Sequence, residues 1–232
     1  MSAVALRPVR FDGDEPHPDD VAAIRVATTS GAGWFARSAS WMQDEAHAAA
    51  VARHGFEPVR RFFRMRIDAT SPAIPDVAPA LPDGVEIVVP RDEDGFRDVC
   101  LVDNESFLDH WHVTPREYDE WWCLMTSESG YDPDGWWLLT VDGEPAAICL
   151  NDESRAHVGD GYVGVLGVRR AFRGRGLATL LLRHAFVRDR DRGRRGTQLG
   201  VDAENWSGAV RLCERVGMSA TRTAQGWARP LT

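Results

Sequence analysis

The clearest pattern of hydrophobic and polar positions lies between residues 162 and 187. Residues 163–168 are a short run of valine, leucine and glycine, which predicts a buried strand. From Leu177 the apolar positions recur every three or four residues, as at Leu180 and Leu181, which predicts a helix. Arginines and glycines fill the interval between the two. The pattern therefore predicts a strand, a glycine-rich turn and a helix in direct succession.

The same criteria predict further elements between residue 85 and the end of the chain. Thr114, Pro115 and Glu117 fit the N-cap, the first and the third positions of a second helix. Asp142 and Gly143 form a strong two-residue hairpin signal. The predicted elements are a strand at 85–90, a helix at 92–111, the helix that follows Thr114, a hairpin of 136–141 with 146–150, and a strand at 198–201.

The first 84 residues give a weaker pattern. Residues 21–26 could form a strand or a short helix, and residues 31–35 look like a loop. Residues 44–54 predict a helix that ends at Gly55, and residues 59–67 predict a strand. The segment around Gly55 weakly repeats the segment around Gly217. A proline-rich, extended linker is predicted at 69–84.

Composition and charge exclude several classes of protein. The net charge of −8 and the pI near 5.4 argue against a nucleic-acid-binding protein. Four scattered cysteines predict free thiols in a reducing compartment, and no ligand spacing suits a metal site. No apolar run is long enough to span a membrane, and the N-terminus lacks an export signal, so we expect a cytoplasmic protein.

The predicted turn has the properties of a phosphate-binding site. The first amides of the helix lack partners, and glycine lets an anion approach the backbone. Arg173 and Arg175 add positive charge. A Walker loop would need a lysine, and the chain contains none. A dinucleotide fingerprint would need glycine or alanine at position 179, where the chain has threonine.

Two motifs carry a resemblance to a known family. Arg173, Gly176 and Ala178 follow the strand in the order R-x-x-G-x-A, and residues 205–218 run NWSGAVRLCERVGM. These motifs resemble the two signatures of the GNAT acetyltransferases over roughly residues 85–230. The resemblance implies an α/β fold of the GNAT acyl-CoA N-acyltransferase type, in which helices flank a mixed central sheet in the order β-α-α-β-β-β-α-β-α-β.

The resemblance also implies acetyl-CoA as the co-substrate, with no metal. Strand amides near Leu166 and Val168 would polarise the thioester carbonyl, and Gly164 or Gly167 is compatible with a bulge there. The implied cofactor-binding residues are Leu166, Gly167, Val168, Arg173, Gly174, Arg175, Gly176, Leu177, Ala178, Thr179 and Asn205.

The catalytic groups are less well defined. Many relatives have a tyrosine acid where this chain has Cys213, a departure that leaves open whether the thiol donates a proton or only packs. The general base is open among several residues that border the predicted acceptor side or lead into the central strand. They are Asp103, Glu105, His110, His112 and Asp160.

The resemblance extends to the tandem GNAT proteins, such as mycothiol synthase, with a truncated N-terminal half. Residues 1–68 would then be a partial, degenerate GNAT-like segment, 69–84 the linker and 85–232 the catalytic domain. The implied function is transfer of an acetyl group from acetyl-CoA to a primary amine, expected on a small molecule. Alternatives are a non-catalytic acyl-CoA-binding or regulatory module and acetylation of a cysteinyl pseudodisaccharide. Whether the chain forms a homodimer stays open.

Overall fold

The structure is a computed structural model that describes residues 24–26, 34–41, 45–108, 115–127, 130–204 and 208–231. Two units divide the chain: the first comprises residues 1–64, 201–207 and 220–232, and the second comprises 65–200 and 208–219. The helices and strands, in chain order, are β1 (Ile24–Val26), β2 (Trp34–Trp41), α1 (Glu45–Arg53), β3 (Glu57–Asp68), β4 (Val85–Val88), α2 (Glu93–Ser106), α3 (Tyr118–Thr126), β5 (Trp136–Val141), β6 (Glu144–Asp152), β7 (Asp160–Val168), α4 (Leu177–Asp191), β8 (Gly196–Asp202), α5 (Ala209–Arg215) and β9 (Ser219–Leu231).

In the second unit the strand order is β8-β7-β6-β5-β4. The strands β4, β5, β6 and β7 are antiparallel to their neighbours, whereas β7 and β8 run parallel, so the sheet is mixed. The elements from residue 85 onward follow the order β-α-α-β-β-β-α-β-α-β. This confirms the fold class and the order of elements predicted from the sequence.

Local sequence explains where the elements of the second unit turn and begin. Asp142 and Gly143 both have positive φ, 51° and 80°, as a tight two-residue turn between β5 and β6 requires. The carboxylate of Asp92 accepts a hydrogen bond from the Gly95 amide at 2.9 Å and caps α2. That helix ends at Ser106, which is earlier than the predicted end at residue 111.

The predicted start of α3 is wrong. The helix begins at Tyr118, and Glu117 is an extended N-cap whose side chain makes no capping bond. The side chain of Asn104 explains the difference, because it bonds both the amide and the carbonyl of Arg116 at 2.9 Å. The backbone just before the helix is therefore held extended by α2.

The two faces of this sheet are covered by different helices. On one face α2 and α3 pack against β5 and β6, with Trp121, Val99 and Ile148 fully buried in the shared core. On the other face α4 buries Leu181, Leu182 and Phe186. The close packing on both faces fixes the position of β7 in the sheet.

In the first unit the strand order is β1-β2-β9-β3. Eight residues of β2, from Trp34 to Trp41, pair antiparallel with β9, so the predicted loop at 31–35 is wrong for residues 34 and 35. Helix α1 ends at Arg53, and Gly55 follows two residues later with a φ of +76°, which confirms the predicted glycine cap. Residues 69–84 belong to the second unit and the C-terminal residues to the first. The domain boundaries given from the sequence stay a prediction.

Candidate functional site

A bulge interrupts the middle of β7. Leu150 of β6 is opposite Val165, but the next residue, Asn151, is opposite Val163, so Gly164 is the extra residue. Gly164 is exposed although β7 has a strand on each side. The sheet is therefore open to solvent at this point of its central strand.

The amides of Leu166 and Val168 point to the open side of β7. Parallel pairing with β8 runs only from Asp160 to Val163. Further along, the amide of Arg169 donates to the Ala146 carbonyl at 3.0 Å, which sets the alternation of the antiparallel ladder with β6. By that alternation the amides of Val165 and Gly167 face β6, and those of Leu166 and Val168 face away from it.

The turn after β7 leaves a second set of amides unpaired. Gly174 and Gly176 have φ of +78° and +81°, and a Cβ at either position would meet no atom within 4 Å. Gly176 is the N-cap of α4, and its carbonyl accepts the Leu180 amide at 3.0 Å. The amides of residues 177–179 therefore have no acceptor within the helix, and they and the positive end of the helix dipole suit an anion.

The two arginines of the turn differ in role, and only the role of Arg173 departs from the one predicted from the sequence. The Arg173 guanidinium donates to the carbonyls of Val168 at 3.1 Å and Ser106 at 2.9 Å, so it ties β7 to the end of α2. Arg175 is exposed, with its guanidinium 5.2 Å from the centre of the Phe172 ring. Arg175 is therefore the arginine of this turn with a charge available to an anion at the start of α4.

Two polar residues that the sequence analysis did not single out lie beside the bulge. Asp152 is 8% exposed, and one of its carboxylate oxygens lies 2.7 Å from where a Cβ on Gly164 would be. Its other oxygen accepts the Ser154 amide at 2.9 Å. The Tyr162 hydroxyl lies 3.3 Å from the Cβ position of Gly200, a second exposed glycine. The signal in the sequence was a polar residue ending the apolar strand β6.

The structure does not favour Asp160 or Glu105 as a general base. Burial works to raise the pKa of Asp160, but hydrogen bonds from Arg66 and Gln198 outweigh it and lower the pKa. Asp160 also lies four residues before Gly164, about 13 Å along the strand. The Glu105 carboxylate is bound by the Arg169 guanidinium at 2.7 Å. Both carboxylates therefore hold arginines in place.

The remaining predicted residues are placed as follows. Burial raises the pKa of Asp103, which accepts a hydrogen bond from the Trp121 ring at 2.8 Å. Cys213 is buried in α5, and burial raises its pKa to about 11. His110, His112 and Asn205 lie outside the described residues.

The described part of the chain shows no group of three or more His, Cys, Asp or Glu side chains that could hold a metal ion. Among the same residues, no helix combines the length and the apolar character needed to cross a bilayer.

The fold and this opening define a class of protein. The sheet is mixed, and its central strand is bulged and diverges from its parallel neighbour. That strand leads through a glycine turn into the N-terminus of a helix. This arrangement is the acyl-CoA N-acyltransferase fold. The profile described as the acetyltransferase (GNAT) family matches residues 96–218. The chain belongs to the GNAT family.

Relatives and solved structures agree with this assignment. A mycothiol acetyltransferase from Rhodococcus erythropolis is 28% identical over 184 residues, which is 75% of this chain and 58% of the relative. A GCN5-related N-acetyltransferase from Sphaerobacter thermophilus superimposes with a TM-score of 0.69 at 29% identity, covering 86% of this chain and 60% of that one. A tandem GNAT protein from the clavulanic acid pathway has the same fold, with a TM-score of 0.61 at 16% identity, covering 84% and 63%. The chain thus spans about three fifths of the length of each of these three proteins.

Proposed function

We propose that this chain transfers an acetyl group from acetyl-CoA to a primary amine of a small molecule. The observation that carries the proposal is the open second half of β7, which leads directly into the unpaired amides at the start of α4. One end of this path suits a carbonyl, and the other suits a diphosphate. An acyl-CoA carries both groups, joined by an extended arm.

In this proposal the backbone supplies most of the chemistry. The amide of either Leu166 or Val168 donates to the thioester oxygen, where negative charge develops as the amine attacks, since the two amides lie about 6.6 Å apart along the strand and cannot share one oxygen. The start of α4 and Arg175 hold the diphosphate and so fix the position of the arm. Aligning the two reactants removes much of the entropic barrier to acyl transfer.

Protons must leave the amine and reach the departing thiolate. Asp152 is our candidate for the general base, because its buried carboxylate lies beside the exposed bulge at Gly164. Cys213 is a poor candidate for the acid. Its pKa of about 11 lies above the pKa of an ordinary thiol, about 8.5, so donating its proton to a leaving thiolate would be uphill.

The names of the relatives favour a second candidate for the acceptor of the acetyl group. Several are called mycothiol acetyltransferase, which suits acetylation of a cysteinyl pseudodisaccharide by this chain. We further propose that residues 85–232 carry the activity and that residues 1–68 support them.

Calorimetry with acetyl-CoA, followed by a screen of amines that records CoA release, tests the proposal. We expect one binding site per chain and turnover with at least one amine. The panel should include a cysteinyl pseudodisaccharide beside simple primary amines, since the preferred acceptor separates the two candidates. Tight binding without turnover on any amine would favour a regulatory module, and no binding at all would contradict both.

A further inference from the structure

Ser106 is the last residue of α2, and its hydroxyl has no partner. The residue is 5% exposed, and its Oγ atom forms no hydrogen bond. Serine hydroxyls near the end of a helix usually bond a carbonyl of the preceding turn. Buried hydroxyls in general are paired with protein or water, so each exception needs an explanation. A buried hydroxyl without a hydrogen-bond partner in a candidate active site suggests that its partner is a ligand.

The hydroxyl lies directly against the open half of β7. A Cβ placed on Gly167 would be 2.9 Å from both Cβ and Oγ of Ser106. Gly167 is the residue between Leu166 and Val168, whose amides face away from β6. Ser106 therefore lies over the backbone of the segment that we propose to hold the thioester.

Two arginines fix Ser106 in this position. Arg173, from the turn that follows β7, donates to the Ser106 carbonyl at 2.9 Å. Arg169, at the end of β7, donates to the carboxylate of the preceding residue, Glu105, at 2.7 Å. The end of α2 is thus held to the end of β7, and the hydroxyl is positioned before any ligand arrives.

We propose that the Ser106 hydroxyl donates a hydrogen bond to a carbonyl oxygen of the acyl-pantetheine arm of acyl-CoA. The arm carries a thioester and two amides, and each of them has an uncharged oxygen acceptor that suits a hydroxyl donor. This inference rests on the proposed function, and it adds a side-chain contact from α2 to the backbone contacts from β7. Ser106 is then a cofactor-binding residue.

The proposal predicts opposite effects on the free protein and on its complex. Without ligand, the buried hydroxyl is an unpaired polar group, so removing it, as in Ser106→Ala, should leave the thermal stability unchanged or raise it. With ligand, the same replacement removes a hydrogen bond and should weaken binding. A purely structural serine would give the reverse result, a loss of stability with unchanged affinity.

The experiment compares Ser106→Ala and Ser106→Cys with the wild type. The cysteine keeps the shape of the side chain, with a larger sulfur atom in place of oxygen, but donates poorly. Ser127→Ala is a matched control at the end of α3, because the Ser127 hydroxyl is exposed and already bonds the Leu124 carbonyl. Thermal unfolding without ligand and calorimetric affinities for acetyl-CoA and for CoA are measured on all four proteins. We expect about fivefold to tenfold weaker binding in both Ser106 variants, unchanged binding in the control, and a melting temperature no lower than that of the wild type.

The two ligands identify the carbonyl. A loss with acetyl-CoA but not with CoA supports the thioester oxygen, and an equal loss with both supports an amide of the arm. Unchanged affinity for both ligands in a folded Ser106→Ala variant would overturn the inference, as would a rise confined to the KM of the acceptor. If the wild type itself binds neither ligand, the proposed function fails first and this inference fails with it.

Discussion

The two halves of β7 differ in how completely the protein satisfies their polar groups. At the start of the strand, the Asp160 carboxylate receives two hydrogen bonds from the Arg66 guanidinium, at 2.8 and 3.0 Å, and one from Gln198 at 2.6 Å. Both neighbouring strands pair with the backbone there. In the second half the sheet is bulged at Gly164, and the amides of Leu166 and Val168 have no strand to bond.

This difference supports the proposal that a ligand binds the second half of β7. A buried carboxylate is a common candidate for a catalytic group, yet Asp160 already accepts three hydrogen bonds from the protein. The second half of β7 contains glycine, valine and leucine, with no functional side chain at all. What marks it as a site is that its backbone donors face an opening. Missing partners, and not residue type, distinguish the half of the strand that we propose to bind acyl-CoA from the structural half.

The largest expected effect is on acetyl-CoA binding, from a substitution in the turn that follows the open half of β7. Gly176→Asp should weaken acetyl-CoA binding about a hundredfold or more, because it places a negative charge beside the proposed diphosphate site at the start of α4. Gly143→Asp is the matched control, since Gly143 has nearly the same φ of +80° and the same open surroundings at the β5–β6 turn. Calorimetry on both folded variants checks this. Equal affinities would show that the diphosphate binds elsewhere.

Asp152 tests whether the bulge is also the place of proton transfer. Asp152→Asn should lower kcat about a hundredfold while leaving acetyl-CoA affinity unchanged, because general bases typically contribute that much or more. Asp134→Asn, at an exposed carboxylate of the turn before β5, should change neither quantity. Steady-state kinetics with the best amine measures both. A variant with wild-type kcat would remove Asp152 from the mechanism.

Substitutions in the first half of β7 should change the stability of the protein and not its affinity for acetyl-CoA. Asp160→Asn removes the more buried of the two carboxylates that bind Arg66, the other being Asp68 at 3.3 Å, and we expect a loss of about 2–3 kcal/mol in the free energy of unfolding at neutral pH. Because the pKa of Asp160 is lowered in the folded state, its contribution is present at neutral pH and is lost as the pH falls through that lowered value.

Urea unfolding of wild type and Asp160→Asn should therefore converge as the pH is lowered below about 4, the ordinary range of aspartate. Acetyl-CoA affinity at neutral pH should match that of the wild type. If Asp160→Asn instead abolished turnover at full stability, the division of β7 into a structural and a binding half would be wrong.

The smallest expected effect concerns Cys213. With 3% exposure and a pKa of about 11, the thiol should contribute packing, so Cys213→Ala should lower kcat tenfold or less. Cys213→Tyr should destabilise the fold by about 1–3 kcal/mol, because a ring does not fit a filled site. Kinetics and thermal unfolding check the pair. A thousandfold fall in kcat for Cys213→Ala would make the thiol the general acid after all.

The sequence predicted the framework of the site well, because the framework depends on local signals. The spacing of apolar residues changes to a helical one at Leu177, and glycines precede it. These two signals predicted the strand, the turn and α4. The weak repeat around Gly55 and Gly217 also corresponds to a local structure. The helices α1 and α5 are each followed by the same hydrogen bond, from a backbone amide to the carbonyl five residues earlier. The Phe56 amide donates to Val51 at 3.1 Å, and the Met218 amide donates to Cys213 at 3.0 Å.

The side chains of the site could not be predicted in the same way, because their roles depend on distant partners. Arg66 binds Asp160 across 94 residues of sequence, and nothing near Asp160 indicates it. Asn104 delays the start of α3 from 12 residues away. Ser106 is an ordinary helix residue in the sequence. Only its burial against Gly167 makes its hydroxyl noteworthy.

The second half of β7, which pairs with β6 but not with β8, has a consequence for solubility. On the side that faces away from β6 it has unpaired backbone groups, as the edge strand of a sheet has. Such exposed edges can pair with strands of other chains unless they are covered. An extended ligand with amide groups can occupy the place of a strand, as peptides do when they add to a sheet. The cofactor arm would then complete the sheet. Cofactor supply would govern how readily newly made chains associate with one another, before any acetyl group is transferred.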